Sequence, residues 1–160
     1  MDKKKISHLD SSGQARMVDV GSKDQTERWA VAKGYVRMST KAFKAAREGD
    51  IKKGDLRTTA QLAGIMAAKK TADLIPLCHP LNIDHVKVDI AWDEQLPGAK
   101  IRGEVHTIGR TGVEMEALTA VSVAALTVYD MIKGIDKGAA IESVRLIEKH
   151  GGRSGDLVLE

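Results

Sequence analysis

The segment EMEALTAVSVAALTVYDMIK, residues 114–133, is apolar on almost every side. A helix of that kind has to be buried in a protein core. Glu114 and Glu116 fall in its first turn, where the helix dipole favours carboxylates, so a structural role and a functional role are both open for them. Their spacing places them on different faces of the helix. The segment therefore predicts a buried helix around which the rest of the fold is built.

Four strands are predicted from residues that alternate between small or apolar and polar types. The first runs from Arg28 to Met38, and the next two form a hairpin around the LPG turn at residues 96–98. The alternating residues of the hairpin are Val86, Val88, Ile90 and Trp92 on one strand, and Ile101, Gly103, Val105 and Thr107 on the other. A last strand is predicted around Val144 to Glu148.

Helical segments fill the gaps between these strands. The composition is helical after Ser39 until Gly49, and an apolar stripe from Leu56 to Lys70 predicts the first long helix, which ends in two lysines that suit its C-terminal dipole. The stripe consists of Leu56, Ala60, Ala63 and Ala67, with Leu62 and Met66 beside them. The element order is the β-α-β-β-α-β of a ferredoxin-like α+β fold, in which helices cover an antiparallel sheet.

The length and composition predict one soluble domain. The 160 residues fit a single domain over residues 26–160, preceded by an N-terminal arm over residues 1–25. With 29% charged and 42% hydrophobic residues, the chain fits neither a disordered protein nor a fibre. We expect no membrane span and no signal peptide, and therefore a cytoplasmic protein. The single cysteine, Cys78, agrees with a reducing compartment.

RNA-binding domains of the RRM type share this element order, so the fold alone does not give the function. An RRM needs several aromatic side chains on its central strands to stack bases. The chain has one Phe, two Tyr and two Trp in total, and no segment resembles the aromatic-rich RRM pattern. The net charge of +3 serves solubility as readily as anion binding. We therefore expect no nucleic-acid partner, and a non-enzymatic nucleotide- or RNA-binding module is the alternative function.

LIPLCHP, residues 74–80, places the cysteine beside a histidine between two prolines. A zinc site, a cysteine nucleophile, a packed loop and a wall of a ligand pocket would all use these residue types. A zinc site needs two further ligands, and the sequence has no CxxC or HxxxH pair to supply them. We expect no metal held by the protein itself.

YDMIKG, residues 129–134, carries Asp130 and Lys133 on one face at the end of the apolar helix. A salt bridge and an acid/base pair beside a site are both open for this spacing. KKGD, residues 52–55, reads either as a basic loop with a helix cap or as part of a site. At 1.5 Å per residue, Glu114 and Asp130 lie about 24 Å apart along the helix. If both ends of the helix are functional, the site is shared between chains and the protein is an oligomer.

Several motifs together resemble one known family. MVDV, KGD with LAGIMAAKKT, DLIPLCHPL, TGVEMEALTA, VAALTVYDMIK and GGRSGD resemble the cyclic pyranopterin monophosphate synthases of molybdenum cofactor biosynthesis. The resemblance runs in order from about Met17 to Asp156. It implies a lyase that converts 3′,8-cyclo-7,8-dihydroguanosine triphosphate to cyclic pyranopterin monophosphate and pyrophosphate. It also implies a ferredoxin-like domain assembled as a hexamer, a trimer of dimers, with active sites at subunit interfaces.

The resemblance further implies roles for individual residues. Asp130 is the expected catalytic acid/base, and Lys53 and Lys133 are the expected essential lysines, one of them with a lowered pKa so that it moves protons together with Asp130. The expected substrate-binding residues are Leu77, Cys78, His79, Met115 and Glu116, with Asp19, Lys69 and Glu114 as lesser members. No cofactor is expected, although Mg²⁺ carried by the substrate triphosphate fits the chemistry.

Overall fold

The computed structural model describes Leu9 and residues 12–160, which form a five-stranded sheet with helices on one face. Its elements are β1 (Thr26–Arg37), α1 (Thr40–Glu48), α2 (Leu56–Ala68), α3 (Thr71–Leu74), β2 (His85–Asp93), β3 (Gly98–Gly109), α4 (Glu114–Ile132), β4 (Ala140–His150) and β5 (Leu157–Val158). The strand order is β2-β3-β1-β4-β5, and every neighbouring pair is antiparallel. The ferredoxin-like α+β prediction is confirmed.

The central strand β1 has the alternation that the sequence predicts. Ala30, Ala32 and Val36 are fully buried in the core, while Lys33 and Arg37 belong to the opposite face of the sheet. Small residues on the core side let α4 approach the sheet closely. The two ends of α4 thus lie at opposite ends of the domain. Each end carries candidate functional residues.

The helix α4 forms the centre of the core, as predicted. Its buried residues include Val121, Ala124 and Val128, each with no exposed surface. In the described part of the chain α4 is long and apolar enough to cross a membrane, but 56% of its most apolar window is buried inside the protein. Its hydrophobicity is therefore used for core packing.

The apolar stripe predicted on α2 is only partly correct. Ala60 and Ala67 are buried, but Leu62 and Met66 are 55% and 58% exposed. The reason is geometric: α2 packs on α4 and β2 through small residues, so its longer apolar side chains lie on the other side. The helix also ends at Ala68, and Lys69 forms its C-cap.

Gly64 allows the close contact between α2 and α4. A Cβ at this position would lie 2.8 Å from the Ala120 carbonyl oxygen and 3.2 Å from Ala124 Cβ. We expect Gly64→Ala to lower the free energy of unfolding by about 1 kcal/mol, because overpacking outweighs the gain in helix propensity. Gly134→Ala is the matched control, since a Cβ on Gly134 would enter open space, with no neighbouring atom within 4 Å. Urea denaturation midpoints measure both effects, and a Gly64→Ala midpoint at or above that of the wild type would contradict this packing argument.

Two short elements were not predicted from the sequence. The four-residue helix α3 and the two-residue strand β5 are too short to produce a periodic pattern. The strand β5 pairs with β4 through Glu148 and Lys149 and so extends the sheet at its edge. The predicted arm falls partly on residues 1–8, 10 and 11, which lie outside the described residues, and its division from the domain stays a prediction.

Candidate functional site

The first group of candidate residues meets at the C-terminal end of α4. Lys53 Nζ lies 2.6 Å from Asp130 Oδ2, and Lys133 Nζ lies 2.6 Å from Asp130 Oδ1. The Lys53 ammonium also donates to the Asp130 backbone carbonyl at 3.0 Å. Asp130 and Lys133 thus form the ion pair that their spacing allows, and Lys53 joins it from the loop before α2. One carboxylate therefore holds two ammonium groups in place.

The charges of these three residues affect one another. Hydrogen bonds from Lys133 and then from Lys53 lower the pKa of Asp130 to about 2. The hydrogen bond and the negative charge of Asp130 in turn raise the pKa of Lys133. The expectation of a lowered lysine pKa is therefore wrong for Lys133, because a carboxylate in contact stabilises its charged form. In the free protein this group presents positive charge rather than a mobile proton.

A wide, open cavity of about 930 Å³ adjoins the Lys53–Asp130–Lys133 group. Its lysines are Lys41, Lys44, Lys52, Lys53, Lys133 and Lys137. Asp55 holds the loop at this cavity in place by capping α2. Its side chain accepts hydrogen bonds from the backbone N–H groups of Arg57 and Thr58. The KKGD stretch is thus both a helix cap and part of a cationic cavity. Its six lysines outnumber its three acids, Glu48, Asp50 and Asp130, so the cavity suits an anionic ligand.

The second group of candidate residues lies at the N-terminal end of α4. A cavity of about 310 Å³ is lined by Leu77, Cys78, His79, Glu114, Met115 and Glu116. The 74–80 segment lies beside the start of α4. The five main predicted substrate-binding residues, Leu77, Cys78, His79, Met115 and Glu116, therefore all line this cavity. His79 and Glu116 also line a neighbouring cavity of about 100 Å³. Leu77, Cys78 and His79 of the LIPLCHP segment thus form part of a cavity wall.

Glu116 is the buried acid of this second group. It is 4% exposed, and burial, with a contribution from Glu114, raises its pKa to about 7. Burial and the nearby Glu116 also raise the pKa of the Cys78 thiol. A thiol with a raised pKa is a poor nucleophile near neutral pH, which agrees with Cys78 as a wall residue. Glu116, in contrast, has a pKa suited to proton transfer.

The raised pKa of Glu116 makes stability depend on pH. The folded protein binds more protons than the unfolded chain between the ordinary glutamate pKa of 4.5 and about 7. The stability contributed by the neutral carboxyl is thus complete below about 4.5 and is lost as pH rises through about 7. We expect Glu116→Gln to match the wild type in free energy of unfolding at pH 4.5 and to exceed it by up to about 3 kcal/mol at pH 8.5. Denaturation at both pH values measures the effect.

Glu114→Gln is the control for this pH dependence, because the Glu114 carboxylate is half-buried and lies 3.6 Å from the Lys149 ammonium. Glu114 also contributes to the raised pKa of Glu116, but burial is the larger cause and remains in this variant. We therefore expect Glu114→Gln to gain clearly less stability than Glu116→Gln between pH 4.5 and pH 8.5. A Glu116→Gln variant with no gain at pH 8.5 would contradict a buried, neutral Glu116.

The two lesser candidates lie at the margins of this second site. Lys69 is exposed and lines the cavity of about 100 Å³ together with His79 and Glu116. Asp19 is exposed and accepts a hydrogen bond from the Gly21 N–H at 2.8 Å. Its neighbours Val18 and Val20 line the cavity of about 310 Å³, but Asp19 does not. The structure thus places Lys69 nearer to the second site than Asp19.

A cationic cleft next to the second site was not predicted as a unit. It has a volume of about 500 Å³ and shares Lys23, Thr111, Gly112 and Glu114 with the 310 Å³ cavity. Its cations are Lys23, Arg28, Arg110, Lys149 and Arg153. The two sequence signals for it were the glycines around Arg110 and the closing GGRSGD motif. These cations come from separate segments of the chain, which only the fold brings together.

Gly112 allows the cleft and the cavity to meet. A Cβ on this residue would lie 2.0 Å from a carboxylate oxygen of Glu114. With glycine there, the Glu114 carboxylate folds back over the loop and lies between the cavity and the cleft. The cavity of about 310 Å³, which contains Glu116, and the cationic cleft therefore form one continuous surface.

The two groups of candidate residues do not meet within one chain. Glu114 and Asp130 lie at opposite ends of α4, about 24 Å apart along its axis. The cavities at the two ends share no lining residue. In the described part of the chain, no three His, Cys, Asp or Glu residues are grouped so that they could hold a metal ion.

Known proteins match this chain over nearly its whole length. The MoaC family model matches residues 17–152. A protein of Brucella ovis named cyclic pyranopterin monophosphate synthase is 59% identical over 152 residues, which are 95% of this chain and 92% of that protein. Proteins of the same name from Roseiflexus sp. (strain RS-1) and Roseiflexus castenholzii are 58% and 56% identical, over 96% and 97% of this chain and 97% and 98% of their own lengths. The matched range contains both groups of candidate residues and most of the cationic cleft, and the chain belongs to the MoaC family.

Proposed function

We propose that this protein is a cyclic pyranopterin monophosphate synthase that acts on 3′,8-cyclo-7,8-dihydroguanosine triphosphate. The observation that carries the proposal is the Asp130 carboxylate held between Lys53 and Lys133 beside a wide cavity. The relatives that carry this name match at more than half of all positions over nearly the full chain. They favour the enzyme over a non-enzymatic nucleotide- or RNA-binding module.

The phosphate chemistry assigns roles to the lysines. A hydroxyl of the substrate attacks the α-phosphorus and gives up its proton to a base or to water. The bond between the α-phosphorus and the oxygen that bridges to the β-phosphate breaks, and pyrophosphate leaves with the bonding electron pair. Negative charge builds on the phosphate oxygens during this step, and fixed ammonium groups stabilise it. Lys53 and Lys133 are suited to this role because Asp130 holds both of them in place. Mg²⁺ carried by the triphosphate would add to the same stabilisation.

Ring opening and closure require protons at nitrogen and oxygen atoms of the substrate. Glu116 has a pKa of about 7 and is therefore suited both to give and to take a proton near neutral pH. His79 lies on the same wall and supplies a ring nitrogen that can hydrogen-bond the substrate. The cationic cleft beside this wall is the site proposed for the triphosphate, because its five cations outnumber its two acids, Asp24 and Glu114.

The proposed site uses residues of two subunits. The lysine pair and the Glu116 wall are about 24 Å apart along α4 in one chain, which is too far for one small substrate to contact both. A second copy of the chain can supply the missing half. The finer proposal is a hexamer built as a trimer of dimers in the cytoplasm, with each active site at a dimer interface.

The exposed side of α4 is the surface proposed for this pairing. Met115, Ser122, Leu126 and Lys133 follow one line along the helix, and Met115 and Leu126 are 37% and 56% exposed. On the adjacent helix α2, Leu62 and Met66 are also exposed. The line starts beside Glu116 and ends beside Asp130. If two copies pack with their α4 helices antiparallel about a two-fold axis, each lysine pair meets the Glu116 wall of the partner copy.

The direct test is turnover by the purified protein. It is incubated with the cyclised GTP intermediate, and pyrophosphate and the cyclic phosphate product are measured over time. The proposal expects both products in equal amounts. Binding of the intermediate without either product, by folded protein, would overturn the enzyme and return the chain to the nucleotide-binding alternative.

A further inference from the structure

The face of the sheet opposite the helices carries a row of four rings. His85, His106, Trp29 and His150 lie side by side on β2, β3, β1 and β4. Trp29 is stacked on His150 with ring centroids 3.8 Å apart and on His106 at 5.8 Å. His85 meets His106 edge to face at 5.8 Å. Because the rings stack on one another, they do not present the free faces that a base-stacking surface needs.

His150, at the end of this row, contacts the GGRSGD loop, residues 151–156. Its Nδ1 lies 3.1 Å from Asp156 Oδ2, within hydrogen-bond distance. Its Nε2 is buried without a hydrogen-bond partner and lies 3.6 Å from Glu148 Oε2. The ring is thus fixed by Trp29 on its face and by Asp156 at one edge.

Asp156 closes the GGRSGD loop. Its Oδ1 accepts a hydrogen bond from the Gly151 N–H at 3.0 Å, while its Oδ2 faces His150. Gly152 has a φ of +79°, and a Cβ there would lie 2.2 Å from the Arg28 guanidinium. Glycine at this position therefore lets the loop turn tightly, with Arg28 against its backbone.

The other side of the loop belongs to the cationic cleft. Arg153 and Ser154 line the cleft, and the Lys149 ammonium donates a hydrogen bond to the Ser154 hydroxyl. Successive residues of a strand point to opposite faces, so Lys149 belongs to the cleft while His150 stacks on Trp29. The His150–Asp156 contact thus holds, from behind the sheet, the loop that forms one wall of the cleft.

We propose that His150 is a positioning residue for polyphosphate binding, because its contact with Asp156 fixes the loop that presents Arg153 and Ser154 to the cleft. This inference rests on the proposed function, in which the cleft receives the substrate triphosphate. The phosphates that the cleft would bind are already charged in the substrate, so loosening the loop weakens binding more than it slows the chemical step. Such a change raises KM and leaves kcat nearly unchanged.

The charged groups around His150 come from every neighbouring element. Glu148 on the same strand and Asp156 after the loop face its two nitrogens. Trp29 on β1 covers its ring, and beyond Trp29 lie His106 and Glu104 of β3, whose side chains are 2.8 Å apart. His106 is therefore a ring of the same row that is bound to a different acid, which makes it a matched control.

The test uses the full-length protein and inorganic pyrophosphate in titration calorimetry. His150→Phe keeps a ring on Trp29 but loses the contact with Asp156, and we expect about tenfold weaker pyrophosphate binding with a similar rise in KM. Asp156→Asn weakens the same contact from the other side and serves if His150→Phe does not fold. His150→Asn restores a side-chain N–H and should recover part of the affinity. His106→Phe should bind pyrophosphate within about twofold of the wild type.

The outcomes separate this inference from the proposed function. Unchanged pyrophosphate affinity in folded His150→Phe, or an equal loss in His106→Phe, overturns the positioning role. Lys149→Gln removes a cleft cation and should weaken pyrophosphate binding whatever His150 does. An active wild type that fails to bind pyrophosphate also overturns the inference, whereas an inactive wild type that binds it in a His150-dependent way overturns only the proposed function.

Discussion

Lys53→Ala should lower the rate of pyrophosphate release at least about a hundredfold while the protein stays folded. The Lys53 ammonium is 2.6 Å from Asp130 and faces the open cavity, so its loss removes charge where the reaction builds charge. Lys53 is also exposed, and exposed ion pairs contribute little to folding, so the denaturation midpoint should change little. Steady-state kinetics and urea denaturation measure the two effects.

The neighbouring Lys52 is the control for this prediction. It lines the same cavity, whereas the ion pair with Asp130 belongs to Lys53. We expect Lys52→Ala to lose clearly less activity than Lys53→Ala. An equal loss in both variants would mean that the loop supplies only general positive charge, and full activity in Lys53→Ala would remove this lysine from the site.

The fold could be predicted because its elements are long and periodic. The alternation from Ala30 to Val36 reports directly on which side of β1 meets the core, and α4 is apolar over more than five turns. The Asp130–Lys133 pair could be predicted too, because three residues on a helix bring two side chains together. Local spacing was sufficient for each of these.

The rest depends on contacts between distant parts of the chain. Lys53 meets Asp130 across 77 residues, and only the family motifs suggested that both belong to one site. The burial of Glu116 depends on the 74–80 segment, which lies beside it only in the fold. Leu62 and Met66 fit an apolar stripe by type, but the small residues of α2 make the contact with α4. The cationic cleft and the ring row combine several strands and loops, so no single stretch of sequence predicts them.

Two inactive variants should restore activity to each other if the active site is shared between subunits. Asp130→Asn damages the lysine end of α4, and His79→Ala damages the wall at its other end. In a dimer with two shared sites, one site of a mixed pair carries both lesions and the other carries neither. Half of the dimers in an equal mixture are mixed, so reassembly should give about a quarter of wild-type activity.

Each variant is first unfolded or dissociated alone and reassembled as a control, and it should stay inactive. Subunit exchange in the mixture is checked by native mass spectrometry with one variant isotopically labelled. The regained activity depends on α4 because its length separates Asp130 from the His79 wall by about 24 Å within one chain. If the mixed dimers form and remain as inactive as either parent, each chain must build a complete site, and the antiparallel pairing of α4 helices is wrong.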